Sequence, residues 1–202
     1  MAVAPWTDPR IPVLGASVPR SHGRFAAAFG RLMMGLSGWR VEGVIPDLPK
    51  MVVIVAPHTS NWDFLTGLWV KLALRFGGRF VGKHTLFRWP LGVFMRWLGG
   101  VPVDRSAPGG FVGEAARALR ESDRMLLVIA PEGTRRPAEW KSGFYRIAVE
   151  AGVPILLAAF DYPRKAVRFG PLVTPTGDYA ADLAQIRSHY TPAMAKVPRN
   201  YR

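Results

Sequence analysis

Met51-Val-Val-Ile-Val-Ala56-Pro57-His58-Thr59-Ser60-Asn61-Trp62-Asp63 joins an apolar run to a polar hexapeptide, and its reading decides the fold. Met51 to Ala56 is strand-like and stops at Pro57, so His58 falls on the loop at the strand's end. Loops carried by a rigid sheet are where catalytic groups gather. An imidazole titrates near neutral pH and can take a proton from a hydroxyl, and a carboxylate on its other nitrogen fixes the tautomer and stabilises the imidazolium. Asp63 is placed to be that carboxylate. Ser60-x-x-Asp63 also fits a capping box for a helix starting near Asn61, in which Asp63 satisfies backbone N–H groups. The two roles are compatible, since a helix start holds Asp63 still beneath His58.

Working outward, a second apolar run, Met125 to Ala130, delivers Pro131-Glu132-Gly133-Thr134-Arg135-Arg136 to another strand end. Val101 to Val103 runs into Asp104-Arg105, and Arg79 to Gly82 runs into Lys83. In an open α/β sheet, ligands bind where such ends converge. Lys83, Arg105 and Arg135 would follow strands on the side of His58. Arg binds a phosphate monoester bidentately and Lys as a point charge, although a single Arg is more often a solvated surface charge.

Strand-like runs at 51–56, 79–82, 101–103, 125–130 and 154–160 alternate with helix-like segments at 61–76, 87–98, 110–122 and 142–151. This alternation predicts a single α/β domain with a mainly parallel central sheet flanked by helices. Ala166 to Phe169 reads as a hairpin-like edge and Asp178 to His189 as a closing helix. Residues 1–23 form an irregular, mobile Pro-rich leader, 24–190 the domain with its N-terminal amphipathic helix, and 191–202 a frayed basic tail.

Taken in order, these motifs resemble the lysophospholipid acyltransferase family, typified by 1-acylglycerol-3-phosphate acyltransferase. The resemblance spans about residues 40 to 175. His58-x4-Asp63 is similar to the family's catalytic block, Gly100-Val-Pro-Val-Asp104-Arg105 to its second, Glu132-Gly133-Thr134-Arg135 to its third and Val153-Pro154-Ile155 to its fourth. Lys83 with Leu86 and Pro90, and Lys141-Ser142-Gly143, also resemble positions between the blocks. The resemblance implies a glycerolipid acyltransferase-like fold, with His58 as base, Asp63 orienting it, and Lys83, Arg105, Glu132, Gly133, Thr134 and Arg135 binding substrate. Pro57 departs from the Asn that many members carry before the His, which bears on the acceptor more than on the chemistry.

The implied reaction is direct acyl transfer from acyl-CoA or an acyl carrier protein to a lysophospholipid hydroxyl, a step of phospholipid biosynthesis. No cofactor is implied, and acyl-CoA or carrier protein is the donor substrate. The chain has no Cys for a thiol acyl-enzyme and no G-x-S-x-G nucleophile elbow. His22, His84 and His189 are scattered without zinc-type spacing, so no metal site is expected. Gly77-Gly-Arg-Phe-Val-Gly82-Lys83-His84 has a P-loop skeleton, but His84 replaces the Ser or Thr that would hold magnesium, and Phe80-Val81 read as strand.

The 202 residues carry a net charge of +13, which calls for an anionic partner. The basic residues are dispersed and no nucleic-acid module is evident, so nucleic acid is not expected and an anionic membrane surface is. Phe25, Phe29, Leu32, Met33 and Leu36 recur at helical spacing between Arg24 and Arg40, and Arg88-Trp89 and Arg96-Trp97 flank a second apolar stretch. An ordinary core-facing helix would give the same periodicity. Roughly 15 residues is short of the ~20 needed to span a bilayer. The Pro-broken start has no signal-peptide pattern. The expected place is cytoplasmic, peripheral or monotopic on the inner membrane face. Two other functions remain open: an acyltransferase with a lyso-aminolipid or glycolipid acceptor, and a non-catalytic basic module that binds membrane or nucleic acid.

Overall fold

The computed structural model describes residues 11–103, 110–135 and 139–201, with the backbone alone for Lys83 and Val103. Seven strands form one sheet: β1 (Arg40–Gly43), β2 (Lys50–Ala56), β3 (Gly78–Lys83), β4 (Gly100–Val103), β5 (Met125–Ile129), β6 (Ile155–Asp161) and β7 (Ala166–Val173). Their order is β1-β7-β6-β2-β5-β3-β4. The five strands from β6 to β4 are parallel; β7 pairs with β6 antiparallel and β1 with β7 parallel. The single α/β domain and mainly parallel sheet expected from the alternation are what the chain adopts.

β2 lies centrally, and its side chains alternate between two cores. Val52, Ile54 and Ala56 enter one core with Leu127, Ile155 and Leu157, whereas Met51 and Val53 enter the other with Leu126, Leu156 and Ala158. A strand buried on both faces has no polar side to show, which is why this stretch reads as an unbroken apolar run. α1 (Arg24–Ser37) packs against α2 (Asn61–Leu74) on the Met51 side; α4 (Gly110–Glu121) and α5 (Gly143–Ala151) pack together over the opposite side. The chain therefore leaves β2 toward one face and neighbouring β5 toward the other. The C-terminal ends of these two strands border the crevice where open α/β sheets place their ligands.

Several expectations need correction. Residues 87–98 are not one helix: a short 3-10 turn, His84–Phe87, precedes α3 (Leu91–Trp97). Gly92 there approaches Phe87 so closely that a Cβ would lie 2.0 Å from its carbonyl oxygen. The run from Ala166 is no edge, because β1, too short and mixed to stand out in sequence, pairs outside it. The described part of the leader is packed: Ile11, Leu14 and Val18 are buried, and the Gly77 amide donates to Pro19 O at 2.8 Å. Beyond α6 (Tyr179–Arg187), the basic tail is docked rather than frayed. Its Val197 amide donates to Thr59 Oγ1 and its Asn200 side chain to Thr59 O, each at 3.2 Å. The strand through Gly78–Lys83 occupies the place where a P-loop would need a loop.

The apolar stripe of α1 faces outward. Ala27, Gly30 and Met34 meet α2, with Gly30 close enough that a Cβ would lie 2.5 Å from Ala73 N, while Phe25 is 94% and Leu36 74% exposed. The core-facing explanation therefore fails for this stripe.

Candidate active site

β2 ends at Ala56, and the next four residues carry His58 across to the start of α2. Ser60 caps the helix, its Oγ accepting the Trp62 amide at 3.2 Å. Asp63 answers from the third position: its Oδ2 accepts the amides of Thr59 and Ser60, both at 2.7 Å. The same Oδ2 lies 3.4 Å from His58 Nδ1. Capping and facing the imidazole are thus two functions of one carboxylate. The contact is an ion-pair distance without hydrogen-bond geometry, because two short amide bonds already occupy the lone pairs of Oδ2. Nδ1 is accordingly buried without a hydrogen-bond partner among the described residues.

The other carboxylate oxygen is also engaged. Tyr162 Oη donates to Asp63 Oδ1 at 2.6 Å from the turn after β6. Burial first, then the bond to Asp63 and its charge, push the Tyr162 phenol far above its usual value. Asp63 is 1% exposed, so a charge removed from water is balanced by three donors.

β5 brings the second loop alongside. Glu132 is 3% exposed, and its Oε1 accepts the His58 backbone N–H at 2.9 Å. Glu132 Oε2 has no hydrogen-bond partner among the described residues, and burial raises the carboxyl above its ordinary value against the lowering effect of the His58 amide. Gly133 has φ +64, a left-handed conformation that favours glycine, and packs against the Lys141 stem. Thr134 and Arg135 are exposed on the same loop. Behind Glu132, Trp140 and Tyr190 meet with ring centroids 5.4 Å apart; burial, followed by the Glu132 charge, raises the Tyr190 phenol. Lys83 ends β3, but its side chain, like all of Arg105, lies outside the described residues.

An apolar cavity of about 190 Å³ lies between α2 and the sheet, lined by His58 and Asp63 together with Phe64, Gly67, Lys71, Phe76 and Phe80. Lys71 donates to Phe76 O at 2.8 Å and Gly78 O at 2.6 Å, and burial lowers its pKa to about 8. A second cavity of about 190 Å³, lined by Glu42, Arg168, His189 and Tyr190 at the β1–β7 edge, contains neither His58 nor Asp63. Among the described residues, no three His, Cys, Asp or Glu side chains cluster as metal ligands.

His58, Asp63 and the Glu132 loop, expected together from their motifs, do meet, while Tyr162 and the docked tail join them without any motif that marks them. Asp161-Tyr162-Pro163 does follow a strand end, as the other site loops do, which was the one available signal.

The site thus sets an imidazole against a buried carboxylate on the lining of an apolar cavity. The chain belongs to the acyltransferase family, whose model, described as Acyltransferase, matches residues 41–160. It is 30% identical over 149 residues to a 1-acyl-sn-glycerol-3-phosphate acyltransferase of Haemophilus influenzae, a match covering 68% of this chain and 60% of that protein. A 1-acyl-sn-glycerol-3-phosphate acyltransferase of Streptococcus pneumoniae is 30% identical over 121 residues, 59% of this chain and 45% of that one. The matches span about half to three-fifths of these relatives' lengths. The fold is similar to the crystal structure of the 1-acyl-sn-glycerophosphate (LPA) acyltransferase from Thermotoga maritima, with TM-score 0.59 and 24% identity over 82% of this chain and 75% of that one.

Proposed function

We propose that this chain is an O-acyltransferase that moves a fatty acyl group from a thioester, acyl-CoA or acyl carrier protein, to the free hydroxyl of 1-acylglycerol-3-phosphate. The observation that carries this reading is His58 Nδ1 facing Asp63 Oδ2 at 3.4 Å on the lining of the apolar cavity. With Nδ1 turned to Asp63, Nε2 is the proton acceptor. It takes the acceptor's hydroxyl proton as that oxygen attacks the thioester carbon. The tetrahedral oxyanion collapses, the C–S bond breaks, and the departing thiolate takes the proton from the imidazolium. The products are an ester and a free thiol, with no covalent enzyme intermediate and no cofactor.

The apolar cavity, which His58 lines, has the chemistry to hold the acyl chain and supports a thioester bound against the imidazole. Arg135, exposed beside Glu132, supports a phosphate-bearing acceptor, with Lys83 and Arg105 assigned the same role by motif. The exposed Phe25 and Leu36 of α1 and Trp89 and Trp97 at α3, with the net charge of +13, support attachment to an anionic membrane from which both lipids are drawn. Among the described residues, no helix is long and apolar enough to cross a membrane.

The test is thiol release from palmitoyl-CoA with and without 1-acylglycerol-3-phosphate, by the wild type and by His58→Ala matched for folding. Acceptor-dependent release lost in the variant supports the reading. Release that survives His58→Ala would sink it.

A further inference from the structure

Asp63 is anchored from a part of the chain that no motif marks. Tyr162 lies 99 residues away, yet its hydroxyl makes a 2.6 Å bond to Asp63 Oδ1, the short charge-assisted kind. The two amides on Oδ2 come from the His58 loop itself and move with it. Tyr162 is therefore the donor that ties the carboxylate to the sheet.

Tyr162 is itself held on three sides. Its ring stands edge-on to Trp39, with centroids 5.0 Å apart and planes at 89°. Its amide donates to Met194 O at 3.0 Å, and Lys196 Nζ lies 5.4 Å over the ring. The same C-terminal segment then reaches the residue beside His58, through Val197 to Thr59 Oγ1 and Asn200 to Thr59 O, each at 3.2 Å. One strap thus secures Tyr162 at one end and the His58 loop at the other.

We propose that Tyr162, braced by the C-terminal segment 191–201, is a positioning residue of the acyl-transfer site, fixing the Asp63 carboxylate so that Oδ2 stays turned to His58 Nδ1. This inference rests on the His58 and Asp63 reading above. Tyr162 touches neither substrate nor the reacting atoms. Without its hydroxyl, Oδ1 is a buried acceptor lacking a donor, and the carboxylate turns to find one. The two amides on Oδ2 then hold the carboxylate alone against that turn.

Tyr162→Phe keeps the ring and its packing on Trp39 and removes only the hydroxyl. The expected result is a fall in kcat of about tenfold with KM for both substrates within about twofold, alongside a lowered melting temperature from the unpaired Oδ1. Asn200→Ala, which slackens the strap without touching Tyr162, should lower kcat by about threefold. An unchanged or raised kcat in Tyr162→Phe overturns the proposal. So does a rise in KM as large as the fall in kcat, because positioning of the base acts on the chemical step. Should Tyr162→Phe fail to fold, Asn200→Ala decides, and a wild-type kcat there overturns the proposal. His58→Ala run alongside separates the two levels: activity surviving it removes the base assignment, whereas its loss with a normal Tyr162→Phe removes only the role of Tyr162.

Discussion

Glu132 Oε1 accepts the backbone N–H of His58 at 2.9 Å, so the loop after β5 holds the loop after β2 through its main chain. Glu132→Gln preserves an oxygen for that amide, and Glu132→Ala leaves it unpaired at a cost of about 1–3 kcal/mol. Thermal melts should therefore place Gln near the wild type and Ala well below. The pH dependence has a definite sign. Burial raises the folded carboxyl above its ordinary value of 4.5, so the contribution of Glu132 relative to Gln is full below pH 4.5 and is lost as pH rises through the folded value. A wild-type melting temperature that gains on Glu132→Gln with rising pH would contradict this.

Lys71 gives the opposite slope. Its pKa is lowered from 10.5 to about 8, so the folded state disfavours its charge below that range. Stability relative to Lys71→Met should increase between about pH 8 and 10.5, by on the order of 3 kcal/mol, and fall as pH drops back through 8. Denaturant titrations of both proteins at several pH values measure the difference directly.

Gly67 sits on α2 where the helix lines the cavity, and a Cβ there would meet Phe160 Cζ at 3.4 Å, an ordinary contact. Gly67→Ala should thus stabilise the helix by about 0.5–1 kcal/mol. Gly67→Leu projects into the cavity and should shift donor preference toward shorter acyl chains, read from kcat/KM across a series of acyl-CoA lengths. An unaltered series would remove this cavity from the acyl-binding role.

Arg135 is exposed, so its replacement should spare stability and tax only the acceptor. Arg135→Ala should raise KM for 1-acylglycerol-3-phosphate by roughly tenfold or more, the loss of a charge-assisted bond. KM for a lysolipid without a phosphate monoester should stay level; an equal rise for both would point away from phosphate recognition.

Trp89 is 86% exposed and Phe25 94%. The double variant Phe25→Glu, Trp89→Glu should lose binding to vesicles containing anionic lipid in a flotation assay, and wild-type binding should weaken with salt. Variant binding equal to the wild type would place the membrane contact elsewhere.

The sequence by itself determined six of the seven strands, most of the helix starts and the two loops bearing His58 and Glu132, because these are local signals. An apolar run that Pro57 ends, a Ser60-Asp63 cap and a Glu-Gly-Thr-Arg block need no knowledge of distant residues. It also carried the outward stripe of α1 as a periodicity, but not its direction, since a core face and a lipid face have the same spacing. Only tertiary structure decided that Gly30 packs on α2 and turns Phe25 outward, that β1 covers β7, and that Glu132 meets the His58 amide across 74 residues. Tyr162 and the tail around Asn200 were illegible for the same reason. A tyrosine after a strand has no distinguishing pattern, and its role arises from an oxygen that the sheet brings within 2.6 Å of Asp63.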